Sequence, residues 1–318
     1  MPPTIALPTL SPPSTRSTLI LDLAVRISAS LPAPARRLVA SLFAALDEAF
    51  SPDRRDGLRQ NLAAIAAWGH PDLATEAKRR EARHAIFRSY HRGCLDYLAS
   101  RGRSAAPPAP RFTGTERFYR ALAGGRGAVL TIPHLGNWEL AGLTMARLGF
   151  RIHVVTGVQF HAAVSQAVRA AKEADRIEVS TQDDGTLPLL RTLRSGGLVI
   201  LLADGDVYTR GESHRFFGAL AEFPVGPALL ARRAGVPIVH AYTVREPDGG
   251  ERIVFESIDR PDFTRRVAED VSRMTEGVVR ALERAVAAHV TQWCIFRPLV
   301  GSGGDSEAAV VPAETHAA

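Results

Sequence analysis

A histidine and a glutamate lie five residues apart in the stretch T-I-P-H-L-G-N-W-E-L, which runs from Thr131 to Leu140. His134 follows an apolar run, whereas Glu139 lies in a pattern that predicts a helix. Positions five apart on one helix point roughly 140° away from each other, so two helical side chains could not cooperate. Gly136 and Asn137 favour a turn and an N-cap, which leaves His134 outside the helix and Glu139 in its first turn.

A carboxylate beside a histidine fixes the tautomer of the ring and stabilises its protonated form, as a general base for a hydroxyl group requires. Proton transfer of this kind contributes roughly 10²- to 10⁴-fold to a rate. A second carboxylate is available, because Asp204 in the segment A-D-G-D follows another apolar run. The residues leave open whether Glu139 or Asp204 holds His134, and whether His134 is a structural residue at a strand end.

Other catalytic machinery is absent from the sequence. It contains no G-x-S-x-G, C-x-x-C or H-E-x-x-H, and this argues against serine hydrolase, dithiol redox and zinc protease chemistry. Its two cysteines, Cys94 and Cys294, lack the spacing of a zinc site, so no metal is predicted. Two cysteines are also too few for a disulfide framework, which favours a reducing compartment. The segment G-G-R-G-A-V precedes its strand and is interpreted as a turn and not as a dinucleotide loop.

Short apolar runs alternate with helical patterns in the second part of the chain. This alternation predicts an α/β fold with a mostly parallel central sheet flanked by helices. The carboxyl ends of parallel strands meet at one edge of a sheet, so we expect His134, Asp204 and Asp206 to lie there. The predicted strands are 128–132, 151–155, 198–203, 236–242, 252–256 and 293–296, and the predicted helices are 137–148, 160–174, 186–195, 226–234 and 264–288.

The predicted organisation is a disordered lead (1–17), an N-terminal helical segment that packs on the core (18–100), a linker (101–111), the α/β core (112–299) and a disordered tail (300–318). Two amphipathic helical patterns in residues 18–50 either pack on the core or lie on a membrane surface. A helix is predicted at 76–100, and a row of basic residues on it is either a solvated face or a surface for anionic headgroups: Arg80, His84, Arg88 and Arg92. No segment has the roughly 18 uninterrupted apolar residues of a membrane span.

Five motifs follow one another along the second part of the chain: H-L-G-N-W-E-L, L-L-A-D-G-D-V, F-F-G, F-P-V-G-P-A-L-L-A and Q-W-C-I-F-R-P. In order and spacing they resemble the bacterial lysophospholipid and lipid A acyltransferase family, which includes the late acyltransferases of lipid A and the phosphatidylinositol mannoside acyltransferase. The resemblance extends from about residue 20 to 299 and includes N-L at 61–62.

The resemblance implies a glycerolipid acyltransferase-like fold, an acyl-CoA or acyl-carrier-protein donor with no further cofactor, and a membrane glycolipid or phospholipid acceptor. It also implies that His134 is the general base and that Glu139 or Asp204 assists it. Substrate-binding roles are expected for Asp206, Arg215, Gly218 and Gly226. No arginine occurs at 156–159, where lipid A enzymes commonly carry one, so the acceptor stays open.

We expect a peripheral protein on the cytoplasmic face of the bacterial inner membrane. Its formal net charge of +6 fits an anionic membrane surface as partner. Nucleic-acid binding is not expected, because the arginines are scattered and no recognition element is present. Two alternatives are a catalytically inactive lipid-binding protein on the same fold, and a thioesterase in which water replaces the acceptor.

Overall fold

The computed structural model describes residues 15–102, 110–156, 169–204 and 211–300. The strands are β1 (Arg111–Thr113), β2 (Ala128–Ile132), β3 (Ile152–Val155), β4 (Ile177–Ser180), β5 (Leu198–Leu202), β6 (Gly211–Phe216), β7 (Ala219–Pro224), β8 (Ile238–Arg245) and β9 (Glu251–Asp259). The helices are α1 (Thr15–Ser30), α2 (Ala33–Phe50), α3 (Pro52–Ala67), α4 (Glu76–Arg101), α5 (Thr115–Leu122), α6 (Trp138–Arg147), α7 (Leu187–Arg194), α8 (Gly226–Ala234) and α9 (Val267–Ala288).

The predicted α/β class is confirmed. Seven strands form one sheet in the order β1-β9-β8-β2-β5-β3-β4, and every neighbouring pair is parallel except β8 and β9. Successive residues of β2 belong to different core clusters, Val129 to one and Leu130 to the other. Both faces of the central strands are therefore covered, as is usual for parallel sheets.

The long helix α4 packs against α1, α2 and α3. The side chain of Thr75 begins α4 as an N-cap, accepting a hydrogen bond from the backbone of Lys78 at 3.2 Å. Helix α3 lies against the stretch 295–300. Its residue Gly57 permits this contact, because a Cβ atom there would lie 2.1 Å from the backbone oxygen of Phe296.

Asn61 of α3 fixes the same stretch by hydrogen bonds. Its amide group donates to the backbone oxygens of Ile295 (3.3 Å) and Arg297 (2.8 Å). Its side-chain oxygen accepts from the backbone of Leu299 (2.8 Å) and Val300 (3.2 Å). The N-terminal helices are thus joined to the end of the described chain by a fully buried side chain.

The prediction of a strand at 293–296 is wrong. Trp293 forms an isolated bridge with Leu135, and the residues after it are irregular. The backbone of Cys294 donates to the oxygen of His134 at 2.7 Å, so this stretch pairs with a loop. Residues 211–224 form the β6–β7 hairpin, which the sequence did not indicate and which leads into α8. The sequence also did not indicate α3, α5, β1 or β4.

Some predictions fall outside the described residues. Most of the expected lead, linker and tail lies there, although residues 15–17 belong to α1. The expected helix at 160–174 is described from residue 169, and residues 169–174 are helical.

Large apolar side chains are exposed along α1 and α2. They form what we term the apolar stripe: Leu23, Ile27, Leu38, Leu42, Phe43, Leu46 and Phe50. Their exposed fractions range from 44% at Leu46 to 79% at Phe50. Within the described ranges, no helix has both the length and the apolar character needed to cross a membrane.

Candidate active site

His134 and Asp204 each lie two residues after the end of a strand, and the two strands are neighbours in the sheet. Strands β2 and β5 are parallel and in register, with Ile132 opposite Leu202, and each polar residue comes two positions later. The Nδ1 atom of His134 consequently lies 2.8 Å from Oδ1 of Asp204. The backbone N–H of His134 also donates to Oδ2 of Asp204 at 2.9 Å.

Asp204 is buried, with 1% of its surface exposed, and is surrounded by hydrogen-bond donors. The indole N–H of Trp293 donates to Oδ2 of Asp204 at 2.8 Å. Burial alone would raise the pKa of this carboxyl group, but the charge of His134 and the hydrogen bonds from His134 and Trp293 hold the pKa below its ordinary value. Asp204 is therefore an ionised acceptor at neutral pH.

The ionised carboxylate determines which nitrogen of the His134 ring carries hydrogen. A carboxylate can only accept, so Nδ1 must donate, and Nε2 is left with a free lone pair. The side chain of His134 is 24% exposed, and its ring contacts Trp138 edge to face at 5.1 Å between centroids. This arrangement can remove a proton from a hydroxyl group that approaches Nε2.

The loop after His134 is fixed on two sides. Gly136 has a φ of 64°, and a Cβ atom there would lie 2.3 Å from the backbone oxygen of Thr243 in β8. The hydroxyl of Thr243 donates to the oxygen of Leu135 at 2.8 Å, and the N–H of Gly136 donates to the oxygen of Gln292 at 3.1 Å. Only glycine fits this crossing, where the backbone is left-handed and close to a neighbouring strand.

Asn137 is the N-cap of α6, as the sequence predicts. Its side-chain oxygen accepts from the backbone of Leu140 at 3.1 Å, and its amide group donates to the oxygen of Gly93 at 3.2 Å. The second bond joins α6 to α4 and thereby places Glu139 opposite α4.

Glu139 forms an ion pair with Lys172, whose side chain is buried. The sequence left open whether Glu139 or Asp204 contacts the His134 ring. In the structure, the carboxylate that contacts the ring is that of Asp204. A catalytic role for Glu139 stays a prediction. Its negative charge adds to burial in raising the pKa of Cys94 to about 11, so Glu139 lies near this thiol.

The other predicted site residues are placed as follows. Asp206 lies outside the described residues. Arg215 donates to the oxygen of Gly218 at 3.1 Å within the β6–β7 hairpin, and Gly226 is the first residue of α8. Substrate-binding roles for these residues stay predictions. The hairpin adjoins the site through Phe216, whose ring centroid lies 6.0 Å from that of Trp293.

Two buried histidines have structural partners. His153 lies 2.7 Å from the hydroxyl of Ser180, and His240 lies 2.9 Å from the carboxylate of Asp259. The cavity of about 480 Å³ beside β4 is lined in part by His153, and His134 is not among its lining residues. Among the described residues, no cluster of three or more histidine, cysteine or acidic side chains could hold a metal ion.

Sequence reasoning missed the functions of two side chains. Trp293 is fully buried, and its hydrogen bond to Asp204 was not foreseen. A buried indole N–H usually finds an acceptor, so the tryptophan in Q-W-C-I-F-R-P was a usable signal. Lys172 had no such signal, since its partner Glu139 lies 33 residues away.

The chain is similar to known proteins over most of its length. The family model for bacterial lipid A biosynthesis acyltransferases matches residues 8–300. The chain is 29% identical over 189 residues to the phosphatidylinositol mannoside acyltransferase of Mycobacterium tuberculosis, covering 58% of each chain. It is 26% identical over 187 residues to the protein of the same name from Mycolicibacterium smegmatis, covering 58% of this chain and 60% of the relative. The match thus spans less than two thirds of these relatives.

Proposed function

The chain belongs to the bacterial lipid A biosynthesis acyltransferase family, and we propose that it moves a fatty acyl group from an acyl thioester to a hydroxyl of a glycolipid or phospholipid. The observation that carries the proposal is the pair of His134 and Asp204, with Nδ1 held at 2.8 Å and Nε2 free to accept. The thioester donor is acyl-CoA or an acyl-carrier protein, and no cofactor is required.

The reaction needs one base and a stabilised intermediate. Nε2 of His134 takes the proton of the acceptor hydroxyl while its oxygen attacks the thioester carbonyl carbon. The resulting tetrahedral intermediate carries its negative charge on the former carbonyl oxygen. When it collapses, the carbon–sulfur bond breaks and the leaving sulfur takes the proton back from His134. Asp204 stabilises the protonated ring throughout.

Phosphatidylinositol mannosides are the first acceptors to test, since the relatives named above act on this class according to their names. The assay follows acyl transfer from an acyl thioester by mass spectrometry, with wild type and His134→Ala. We expect the variant to fold normally and to lose at least roughly 10²-fold in rate. An unchanged rate would exclude His134 as the base.

The same assay separates the alternatives. Release of free fatty acid without any acceptor would identify a thioesterase. Lipid binding by a wild-type protein that neither transfers nor hydrolyses acyl groups would identify a catalytically inactive lipid-binding protein.

The proposal includes peripheral association with the cytoplasmic face of the bacterial inner membrane. The apolar stripe supports it, because exposed apolar side chains that recur at helical spacing on α1 and α2 suit insertion among lipid headgroups. On the neighbouring helix α4, Arg80 and Arg88 are exposed and suit anionic headgroups, whereas His84 and Arg92 pair with Glu48 and Asp96.

Vesicle co-sedimentation tests this association. We expect Leu42→Glu to weaken binding to anionic vesicles by roughly tenfold, since burying one leucine contributes about 1.5–3 kcal/mol. Leu148→Glu is the matched control, because Leu148 is equally exposed (59% against 60%) but lies outside the stripe. Equal loss in both variants, or in neither, would contradict the role of the stripe.

A further inference from the structure

An arginine lies on aromatic rings near the candidate active site. The guanidinium carbon of Arg54 is 3.7 Å from the ring centroid of Phe296, 4.9 Å from that of Tyr90 and 5.6 Å from that of Phe87. The Phe296 centroid in turn lies 5.2 Å from Tyr90 and 5.1 Å from Phe87. We term these three rings the aromatic shelf.

The aromatic shelf lies next to the stretch that contacts the His134 loop. Phe296 comes two residues after Cys294, whose N–H donates to the oxygen of His134. Tyr90 lies on α4, one helical turn before Cys94. Burial raises the pKa of Cys94 to about 11, and the positive charge of Arg54 opposes that rise, so Arg54 lies near this part of α4.

Arg54 retains donors for a ligand. Stacking on rings uses the flat faces of a guanidinium and leaves its N–H groups, which point outward in the plane, available for anions. The ion pair described for Arg54, with Asp47, engages Nη1, and the side chain is 31% exposed. Asp47 also receives hydrogen bonds from Ser51 at 2.7 Å and His91 at 2.8 Å. Asp47 is thus held by several donors, and Arg54 contacts it through one nitrogen.

A line of rings leads from the apolar stripe to the aromatic shelf. Phe43 of the stripe stacks on His91 with centroids 6.3 Å apart, and His91 contacts Tyr90 at 5.2 Å. A lipid whose chains lie against the stripe would thus have its headgroup close to Arg54.

We infer that Arg54 binds a phosphate ester group of a reactant, a role that rests on the proposed function for its substrate class. The phosphate belongs either to the headgroup of the acceptor lipid or to the carrier of the acyl donor. The line of rings favours the phosphodiester of the acceptor.

Equilibrium binding tests the inference without catalysis. The probe is a short-chain phosphatidylinositol below its micellar concentration, and octyl glucoside is the uncharged comparison. Arg54→Met keeps a long apolar stem on Phe296 but removes the donors. We expect it to weaken phosphatidylinositol binding by roughly tenfold or more, as for a charge-assisted contact, and to leave octyl glucoside binding unchanged.

Arg55→Met is the matched control. Arg55 lies next to Arg54 on α3 and donates to the backbone oxygen of Glu48 at 3.1 Å. Both variants replace an arginine by methionine, so they change the net charge equally. We expect it to bind the probe like wild type. Equal losses in the two variants, or no loss in Arg54→Met, would overturn the inference. If Arg54→Met does not fold, Arg54→Lys replaces it, with an expected loss of roughly threefold because lysine lacks the planar pair of donors.

Steady-state kinetics identifies the source of the phosphate. We expect Arg54→Met to raise KM for the acceptor and to leave KM for the thioester donor unchanged. A rise confined to the donor would overturn the assignment to the acceptor. A wild type that binds phosphatidylinositol through Arg54 but transfers no acyl group would refute the proposed function and leave the binding role intact.

Discussion

Replacing Asp204 by asparagine tests the tautomer on which the mechanism depends. Oδ1 accepts from Nδ1 of His134, and Oδ2 accepts from the backbone N–H of His134 and from the indole of Trp293. Asparagine has one acceptor oxygen. If that oxygen keeps the two Oδ2 contacts, its NH₂ group donates to Nδ1, and the ring hydrogen must move to Nε2. Nε2 then cannot take a proton from the acceptor.

The opposite orientation of the asparagine amide restores the active tautomer at a cost. Its NH₂ group would face two buried N–H donors and lose two hydrogen bonds, which costs roughly 3 kcal/mol in total. Loss of the carboxylate charge, which stabilises the protonated ring, adds roughly 2 kcal/mol. The sum of about 5 kcal/mol corresponds to a rate loss of roughly 10³- to 10⁴-fold.

Initial rates of acyl transfer measure this effect. We expect kcat to fall for Asp204→Asn while both KM values change little, because Asp204 is buried and does not face substrate. Glu139→Gln, which leaves the Asp204 contacts intact, should lose less than about tenfold. A rate for Asp204→Asn within tenfold of wild type, in a protein that melts normally, would refute the reasoning.

Three further predictions concern stability, each measured by urea denaturation. Burial would raise the pKa of Asp204, but His134 and Trp293 lower this pKa below 3.8. The ionised Asp204 therefore stabilises the fold fully above about pH 4, and this stabilisation disappears as pH falls through the folded-state pKa. The difference in unfolding free energy between wild type and Asp204→Asn should therefore shrink in acid; a constant difference would contradict this. Asn61→Ala removes four hydrogen bonds, three of them buried, and should lower the unfolding free energy by about 3 kcal/mol. A change below about 1 kcal/mol would show that the 295–300 stretch is held by other contacts. Gly136→Ala forces a Cβ atom against β8 at positive φ and should lower the unfolding free energy by at least about 1–3 kcal/mol. Gly142→Ala, in open space on α6, should raise the unfolding free energy by about 0.5–1 kcal/mol. Equal effects of the two substitutions would argue against close contact between Gly136 and β8.

The position of the candidate site was predictable because it depends on local patterns. Apolar runs ending just before His134 and Asp204 identify two strands, and parallel strands bring their carboxyl ends to one edge. The choice between Asp204 and Glu139 was not predictable, because it depends on the register of β2 against β5. It also depends on Lys172, which engages Glu139 from a distant helix.

The end of the described chain shows the limit of pattern reasoning. The apolar letters W-C-I-F suit a strand, but Asn61 and His134 provide the backbone partners of this stretch, so it follows a loop-like path. Such partners are remote in sequence, and local propensity carries no information about them. The β6–β7 hairpin was missed for a related reason, because its outward face is polar and its strands resemble a loop.

The hydrogen bond from Trp293 also has a consequence for biosynthesis. Trp293 lies 89 residues after Asp204, and chains are synthesised from the N-terminus. A ribosome-bound chain can therefore form the central sheet, and bring the histidine and the carboxylate together, well before the indole is available. Until that last stretch docks on Asn61, the carboxylate lacks a donor and the His134 loop lacks its outer support. Completion of the reactive pair is thus delayed until residues 293–300 have been synthesised and have docked on α3.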